Sequence, residues 1–383
     1  MSFYAVHAKI PIMSTKTLRI LVVGQSPPPV GGQAVMIQNL LDGEYKDIEL
    51  IHVRMNFSQE LNSAGKFRFS KLKELVLVVV NIYRSKFAYR PTILYYPPSG
   101  PRHLPVIRDA VILCLTRWLF KSVVFHFHAS GLLEYLQKIN PLARTILKIA
   151  FIHPDLAIHI SKSAPRDGLG LGCKREIIIA NGIPDAAGDY TIRKIVAGSQ
   201  VSILFVALLC EDKGVLIAIR AALELLNTGY DIKLTCLGKW ESTDLQAHAF
   251  DLIEPQFEGH FSFPGVVVGE DKWQYYRSAQ IFIFPSYFHS ETFPVVLLEA
   301  MSFSLPIVTS RWRGIPDVVE EGSCAFLCEP KDIAGCRNAL EHLVKYSSLR
   351  DQMGRKSRER YLSHFTIEMH RKAMELALSQ FKE

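Results

Sequence analysis

Residues 281–310, IFIFPSYFHSETFPVVLLEAMSFSLPIVTS, decide how the whole chain is read. Ile281 to Pro285 is a short apolar run of the kind a parallel sheet buries on both faces. The polar loop after it ends at Pro294, a residue suited to the first turn of a helix. Val295 to Met301 continues that helix, and Pro306 to Thr309 is the next buried strand. Glu291 therefore stands just ahead of a helix start and Glu299 about one and a half turns inside it. Both carboxylates can line one pocket at different depths, with the positive end of the helix dipole between them. A helix start attracts a diphosphate, and a carboxylate further along accepts two hydrogen bonds from a ribose diol.

The same alternation runs outward in both directions. Upstream of the quoted stretch lie Val201 to Val206, Lys233 to Leu237 and Phe261 to Pro264. Downstream lie Ala325 to Cys328, a helix from about Asp332 to Lys345, and a basic helical tail from Ser347. An earlier series comprises Leu18 to Val23, Ile48 to Val53, Thr92 to Tyr96, Ser122 to His128, Leu156 to Ser161 and Ile177 to Ala180, with helical spacing between. The turn-rich NGIPDAAGDY (181–190) separates the two series. The expected fold class is α/β: two facing Rossmann-like domains with parallel sheets and an interdomain cleft, where ligands sit at the carboxyl ends of strands. The expected division is an N-terminal domain 1–185, a C-terminal domain 186–350, and a helical tail 351–383 packing back on the first.

At 383 residues, 49% hydrophobic and 21% charged, the chain is neither disordered nor a disulfide miniprotein. Its seven cysteines lack zinc spacing and read as small buried hydrophobes of a reducing compartment. The N-terminus has no continuous apolar core for a signal peptide, and no apolar run approaches the ~20 residues that span a bilayer. Residues 1–190 carry 23 Lys and Arg against 13 Asp and Glu, or +10; the rest carry 21 against 24, or −3. The loop GQSPPPVGG (24–32) lacks the spacing of a dinucleotide fingerprint, and its prolines remove the amides a pyrophosphate cradle uses. What remains is Gly31 and Gly32 ahead of a helix, where a phosphate or sugar can approach closely.

These pieces resemble the retaining, nucleotide-sugar-dependent glycosyltransferases of family four, the glycosyltransferase group 1 type with the GT-B fold, in their bacterial polysaccharide and glycolipid branch. The resemblance covers nearly the whole chain, in the family's order: Gly31-Gly32; LYYPPSG followed by Arg108-Asp109; HFHASG with His128; IIIANGIP; FVALLCEDKG with Lys213; ETFPVVLLEAM with Glu291 and Glu299; and RGIPDVVEEG with Gly314 and Asp317. It implies that Glu291 contacts the donor sugar near the reacting carbon and that His128, on the opposite wall of the cleft, touches the same sugar, the two being the catalytic candidates. It also implies that Lys213 pairs with the donor diphosphate, Glu299 holds the ribose, and Gly31, Gly32, Phe293 and Val295 complete the donor site, to which Arg313 is added as a candidate of this chain's own. His126, on the same strand face, rivals His128; the small residues after His128 favour it. The implied reaction is transfer of a hexosyl group from a nucleotide-diphosphate sugar, a co-substrate with no cofactor and no metal, to a hydroxyl acceptor.

Two departures bear on that expectation. The family's arginine five residues before the lysine is Leu208 here, and its Gly-Gly is Arg313-Gly314, with Arg311 nearby. Arg313 or Arg311 is expected to replace the missing charge; the alternative is a catalytically impaired sugar-nucleotide-binding or scaffold protein of the same fold. In the basic first domain, KFRFSKLK (66–73) and RHLPVIRDAVILCLTRWLFK (102–121) interleave cations with apolar residues. They point to a glycan or lipid-linked acceptor at an anionic membrane surface, for a cytoplasmic protein peripheral on the inner face of the membrane. No nucleic-acid module is present in the sequence.

Overall fold

The computed structural model describes residues 17–28, 31–56, 69–188 and 200–382, with the side chains of the third segment taken from residue 72. The N-terminal dozen residues and residues 66–68 of the 66–73 stretch lie outside the described residues, as do the side chains of residues 69–71. In the first lobe the elements run β1 (Leu18–Gly24), α1 (Gly32–Leu41), β2 (Ile48–Arg54), α2 (Phe69–Tyr89), β3 (Ile93–Tyr96), α3 (His103–Thr116) and β4 (Ser122–Phe127). They continue with α4 (Leu132–Lys138), α5 (Pro141–Phe151), β5 (Leu156–His159), α6 (Asp167–Gly170) and β6 (Arg175–Ile178). The second lobe opens with β7 (Val201–Val206), α7 (Val215–Asn227), β8 (Ile232–Leu237), α8 (Thr243–Asp251), β9 (Phe261–Gly265), α9 (Gly269–Ser278) and β10 (Ile281–Phe284). It closes with α10 (Val295–Ser302), β11 (Ile307–Ser310), α11 (Ile315–Val318), β12 (Ala325–Cys328), α12 (Ile333–Lys345), α13 (Ser347–His364) and α14 (Ile367–Ser379).

Each lobe has a six-stranded sheet, ordered β2-β1-β3-β4-β5-β6 in the first and β12-β11-β10-β7-β8-β9 in the second. All registered pairs are parallel, for example Ile20 opposite Ile93 and Ile281 opposite Ile203. Parallel strands need helical crossovers, which bury both sheet faces and explain why the strands read as unbroken Val, Ile, Leu and Phe. In the first lobe Val78, Ile82, Ile112, Leu113 and Phe151 of α2, α3 and α5 cover one face. Ile37 and Leu40 of α1 cover the other, with Met374 and Leu378 of α14. The winding reverses between β1 and β3 and again between β7 and β10, so each sheet opens a crevice at the carboxyl ends of those strands.

The division expected between 350 and 351 falls inside α13. That helix seals the second lobe: Met353 and Tyr361 are buried in its core, and Ser357 Oγ donates to the Leu305 carbonyl at 2.7 Å. The return to the first lobe is made by α14, where Arg371 Nε donates to the Asn39 carbonyl at 3.2 Å and Glu375 accepts the Lys46 amide at 2.7 Å. No helix among the described residues is long and apolar enough to cross a membrane.

Candidate active site

The site residues emerge from the two sheet crevices. The loop after β7 makes one short 3-10 turn, Glu211–Lys213, and leaves it through Gly214 at φ +85°, which starts α7. A side chain on Gly214 would meet the Pro285 carbonyl, so glycine lets the loops after β7 and β10 close on one another. Lys213 Nζ consequently lies 2.5 Å from Glu291 Oε2. Ser286 Oγ donates to the same oxygen at 2.9 Å, and the ammonium sits 4.6 Å from the Phe288 ring centre. The carboxylate is nearly buried, at 8% exposure, so its charge is stabilised by the lysine and serine rather than by water.

Two helix starts face one another beside this pair. The α1 start is capped by Gly31 in extended backbone with open space around it, and a side chain on Gly32 would come 3.9 Å from Val295 Cγ2, at the start of α10. Pro294 is the cap before α10 rather than its first helical residue, with φ −63° and ψ 117°. Neither cap offers a side-chain acceptor, which leaves the amides at both helix starts for a ligand. The Phe293 side chain packs edge-on to Phe365, 5.6 Å between ring centres, and its carbonyl accepts from Asn181 Nδ2 at 3.4 Å. Phe293 therefore turns its ring into the core and keeps only main-chain atoms for a ligand.

The opposite wall belongs to the first lobe. Buried Asp109 accepts from Tyr96 Oη at 2.8 Å, the Ser99 amide at 2.7 Å and Arg108, and so locks the loop at residues 97–101. A side chain on Gly100 would lie 3.3 Å from Ala129 Cβ and 3.7 Å from Ser290 Oγ, which brings the neighbours of His128 and Glu291 to the same point. His126 is committed to a hydrogen bond with Tyr95, and its ring lies 4.0 Å from that of His128. Neither ring nitrogen of His128 has a partner among the described residues. Burial, with a smaller contribution from neighbouring His370, pushes the His128 pKa down to about 3, so the ring is neutral at pH 7 and can donate or accept one hydrogen bond to a ligand.

Glu299 lies one turn deeper. Tyr276 Oη donates to its Oε2 at 2.7 Å, and Lys272 Nζ reaches Oε1 at 2.6 Å and Oε2 at 2.7 Å. Burial, then the negative charge of Glu299, holds the Tyr276 hydroxyl well above its ordinary pKa, so it stays a donor.

The two arginines differ. Arg311 is bound at the surface to Glu321 at 2.6 Å and Glu329 at 3.4 Å. Arg313, in left-handed backbone at φ 44°, crosses to the first lobe and meets Glu134 Oε2 at 3.0 Å and Ser130 Oγ at 3.4 Å. Gly314 after it has no room for a side chain against the Thr292 carbonyl. Asp317 then ties the lobes together, accepting from Ser161 Oγ at 2.6 Å, the Lys162 amide at 2.5 Å, and Ser163 through its amide at 2.8 Å and its hydroxyl at 2.7 Å.

Sequence reasoning missed Lys272 and Glu134, whose neighbours in sequence carry no motif, and gave Asp317 no role. It also missed α5, where Leu142, Ile146 and Ile149 form an exposed stripe at one-turn spacing. The 102–121 stretch turns Val106, Ala110, Ile112 and Leu113 inward and leaves Leu104, Ile107, Leu115 and Trp118 outside.

Residues 200–346, which carry Lys213, Glu291, Glu299 and Arg313, match the family model of glycosyl transferases group 1. The second lobe is thus similar to the glycosyl transferases group 1 domain. The chain is 39% identical over 100 residues to the sulfoquinovosyl transferase SQD2 of Arabidopsis thaliana, covering 25% of this chain and 19% of that one. It is 26% identical over 168 residues to the capsular polysaccharide biosynthesis glycosyltransferase CapM of Staphylococcus aureus, 43% of this chain and 42% of the other. The matches thus span less than half the length of either relative. The two lobes together superpose on Anabaena Alr3699/HepE in complex with UDP-glucose with a TM-score of 0.70 at 14% identity, over 95% of this chain and 100% of that one. Both lobes follow the GT-B fold of such glycosyltransferases.

Proposed function

We propose that the chain is a retaining glycosyltransferase that moves a hexosyl group from a nucleotide-diphosphate sugar to a hydroxyl of a glycan or lipid-linked acceptor in cell-surface polysaccharide synthesis. The observation that carries this reading is the Lys213–Glu291 pair at the crevice of the second lobe, beside the facing starts of α1 and α10. A departing diphosphate gathers negative charge, and an ammonium with two helix starts is a fixed positive environment for it, so the reading needs no metal. Attack from the leaving-group face breaks the bond from the anomeric carbon to phosphate oxygen and forms the bond to acceptor oxygen on the same side. The acceptor proton passes to the departing phosphate, and neutral His128 and the Glu291 carboxylate hold the sugar.

Polysaccharide biosynthesis is the stated role of CapM, and HepE was crystallised with UDP-glucose; these support the acceptor class and make UDP-glucose the first donor to try. A membrane surface for the acceptor is supported by the α5 stripe, flanked by exposed Lys138 and Lys148, with Trp118 and Lys121 nearby. The test is nucleotide release from a panel of UDP- and GDP-sugars with and without lipid-linked acceptors, in the wild type and Glu291→Ala. Acceptor-dependent release lost in the variant is the expected result. Donor binding without release under any acceptor favours the impaired sugar-nucleotide-binding reading, which Leu208 motivates. Sedimentation with anionic vesicles that Ile146→Glu leaves unchanged removes the membrane part.

A further inference from the structure

Lys272 belongs to no motif, yet it is the most committed lysine in the second lobe. It and Tyr276 are four residues apart on α9, hence on one helix face, and both point at Glu299 of α10. Behind them Tyr276 is fully buried in an aromatic stack, with ring centres 5.5 Å from Phe303, 5.8 Å from Phe282 and 5.8 Å from Trp273, so its hydroxyl cannot move aside. The Lys272 ammonium lies 5.0 Å from the Trp273 ring centre and is itself mostly covered.

Counting acceptor positions gives the arrangement its meaning. A carboxylate offers about four lone-pair positions. Lys272 takes one on each oxygen and Tyr276 takes a second on Oε2, so Oε2 is saturated and Oε1 keeps one. A ribose diol brings two donors, and Glu299 by itself can satisfy one. The ammonium, however, has a third N–H that Glu299 does not use. We propose that Lys272 reads the ribose jointly with Glu299: one hydroxyl donates to Oε1, the other accepts from Lys272, and the lysine fixes the carboxylate in the only orientation that permits both. This rests on the reading that Glu299 receives the donor's ribose, and it makes Lys272 a specificity-determining residue of that site.

The test compares the affinities of UDP and 2′,3′-dideoxy-UDP, and of the matching GDP pair, for the full chain by calorimetry in the wild type, Lys272→Met and Glu299→Gln. The wild type is expected to bind the ribose form about tenfold more tightly, the value of a hydrogen bond to a charged group. K272M and E299Q are each expected to erase that preference, with K272M leaving dideoxy affinity where it was. A merely structural lysine would instead weaken both nucleotides alike and leave the ratio intact, which overturns the inference. If K272M gives no cooperative melt, Lys272→Arg answers the same question, because a planar fork cannot reproduce one ammonium's three-way geometry; an unchanged ratio there also overturns it. Loss of preference in E299Q but not in the lysine variants overturns Lys272 alone. Equal wild-type affinity for ribose and dideoxy forms removes the ribose from Glu299, and no binding of either nucleotide removes the donor-site reading itself.

Discussion

Two lysine–glutamate pairs have their glutamates in one strand–loop–helix unit and are built in opposite ways. Lys213 and Glu291 come from loops after two different strands, meet at the crevice, and place both hydrogen bonds on a single carboxylate oxygen. Lys272 and Glu299 come from neighbouring helices, are backed by stacked aromatic rings, and leave one acceptor position open. The first pair depends on tight loop closure at Gly214; the second depends on a rigid core. A pair carried by loops can follow charge as it shifts during a reaction, whereas a pair held by packing suits a part of the ligand that does not change.

Rate and affinity separate the two pairs. Lys213→Ala is expected to lower kcat by about 100-fold, the usual cost of removing one fixed group from a developing charge, with a smaller change in donor KM. Single-turnover kinetics measures it, and an intact kcat would place the leaving group elsewhere. Glu299→Gln is expected to raise donor KM about tenfold and leave kcat within about twofold, since a ribose held at Glu299, as proposed, would be bound alike in ground and transition states. A fall in kcat alone would make the two pairs functionally alike.

The next effect concerns the lobes that carry the pairs. Burial, in each case the leading cause, depresses the His126, His128, His159 and His370 pKa values. The unfolded chain therefore takes up protons near pH 6.5 that the folded chain refuses, so stability rises with pH through the window below about 6.5 and falls on acidification. Melting temperatures between pH 7.5 and 5 check this, and His128→Gln should flatten the slope. Asp317 has the opposite sign. Burial would raise its pKa, but the hydrogen bonds from Ser161, Ser163 and the Lys162 amide outweigh it and hold the carboxyl below its ordinary value. Its contribution is present above about pH 4 and fades below. Asp317→Asn should lower the melting temperature at pH 7, with the gap from wild type closing in acid. The smallest effect is Arg311→Ala: with both carboxylate partners at the surface, donor affinity should stay within about twofold, as for other exposed pairs. Arg313→Ala, which cuts the contact to Glu134, should exceed it.

The strands of both lobes and their parallel arrangement were legible because a parallel sheet demands unbroken apolar runs, and runs such as LRILVV and IFIF admit few other readings. The boundary at 350 was not, because α13 and α14 read from the sequence as one helical tail; only the contacts of Tyr361 and Met374 tell which lobe each covers. Glu291, Glu299 and Lys213 stand in motifs with recognisable flanks. Lys272 and Glu134 are ordinary surface-type residues by composition, and only the approach of distant segments gives them partners.

By itself the sequence determined two α/β lobes, a strand–loop–helix unit with carboxylates at two depths, and a lysine loop to face them. These rest on local spacing and on burial patterns that short segments carry. The tertiary structure alone decided which nitrogen meets which carboxylate: Lys213 for Glu291, Lys272 for Glu299, Arg313 across the lobes and Arg311 out to the surface. Such pairings depend on which strands lie side by side where each sheet reverses its winding, a relation between residues up to 183 positions apart that no local pattern encodes.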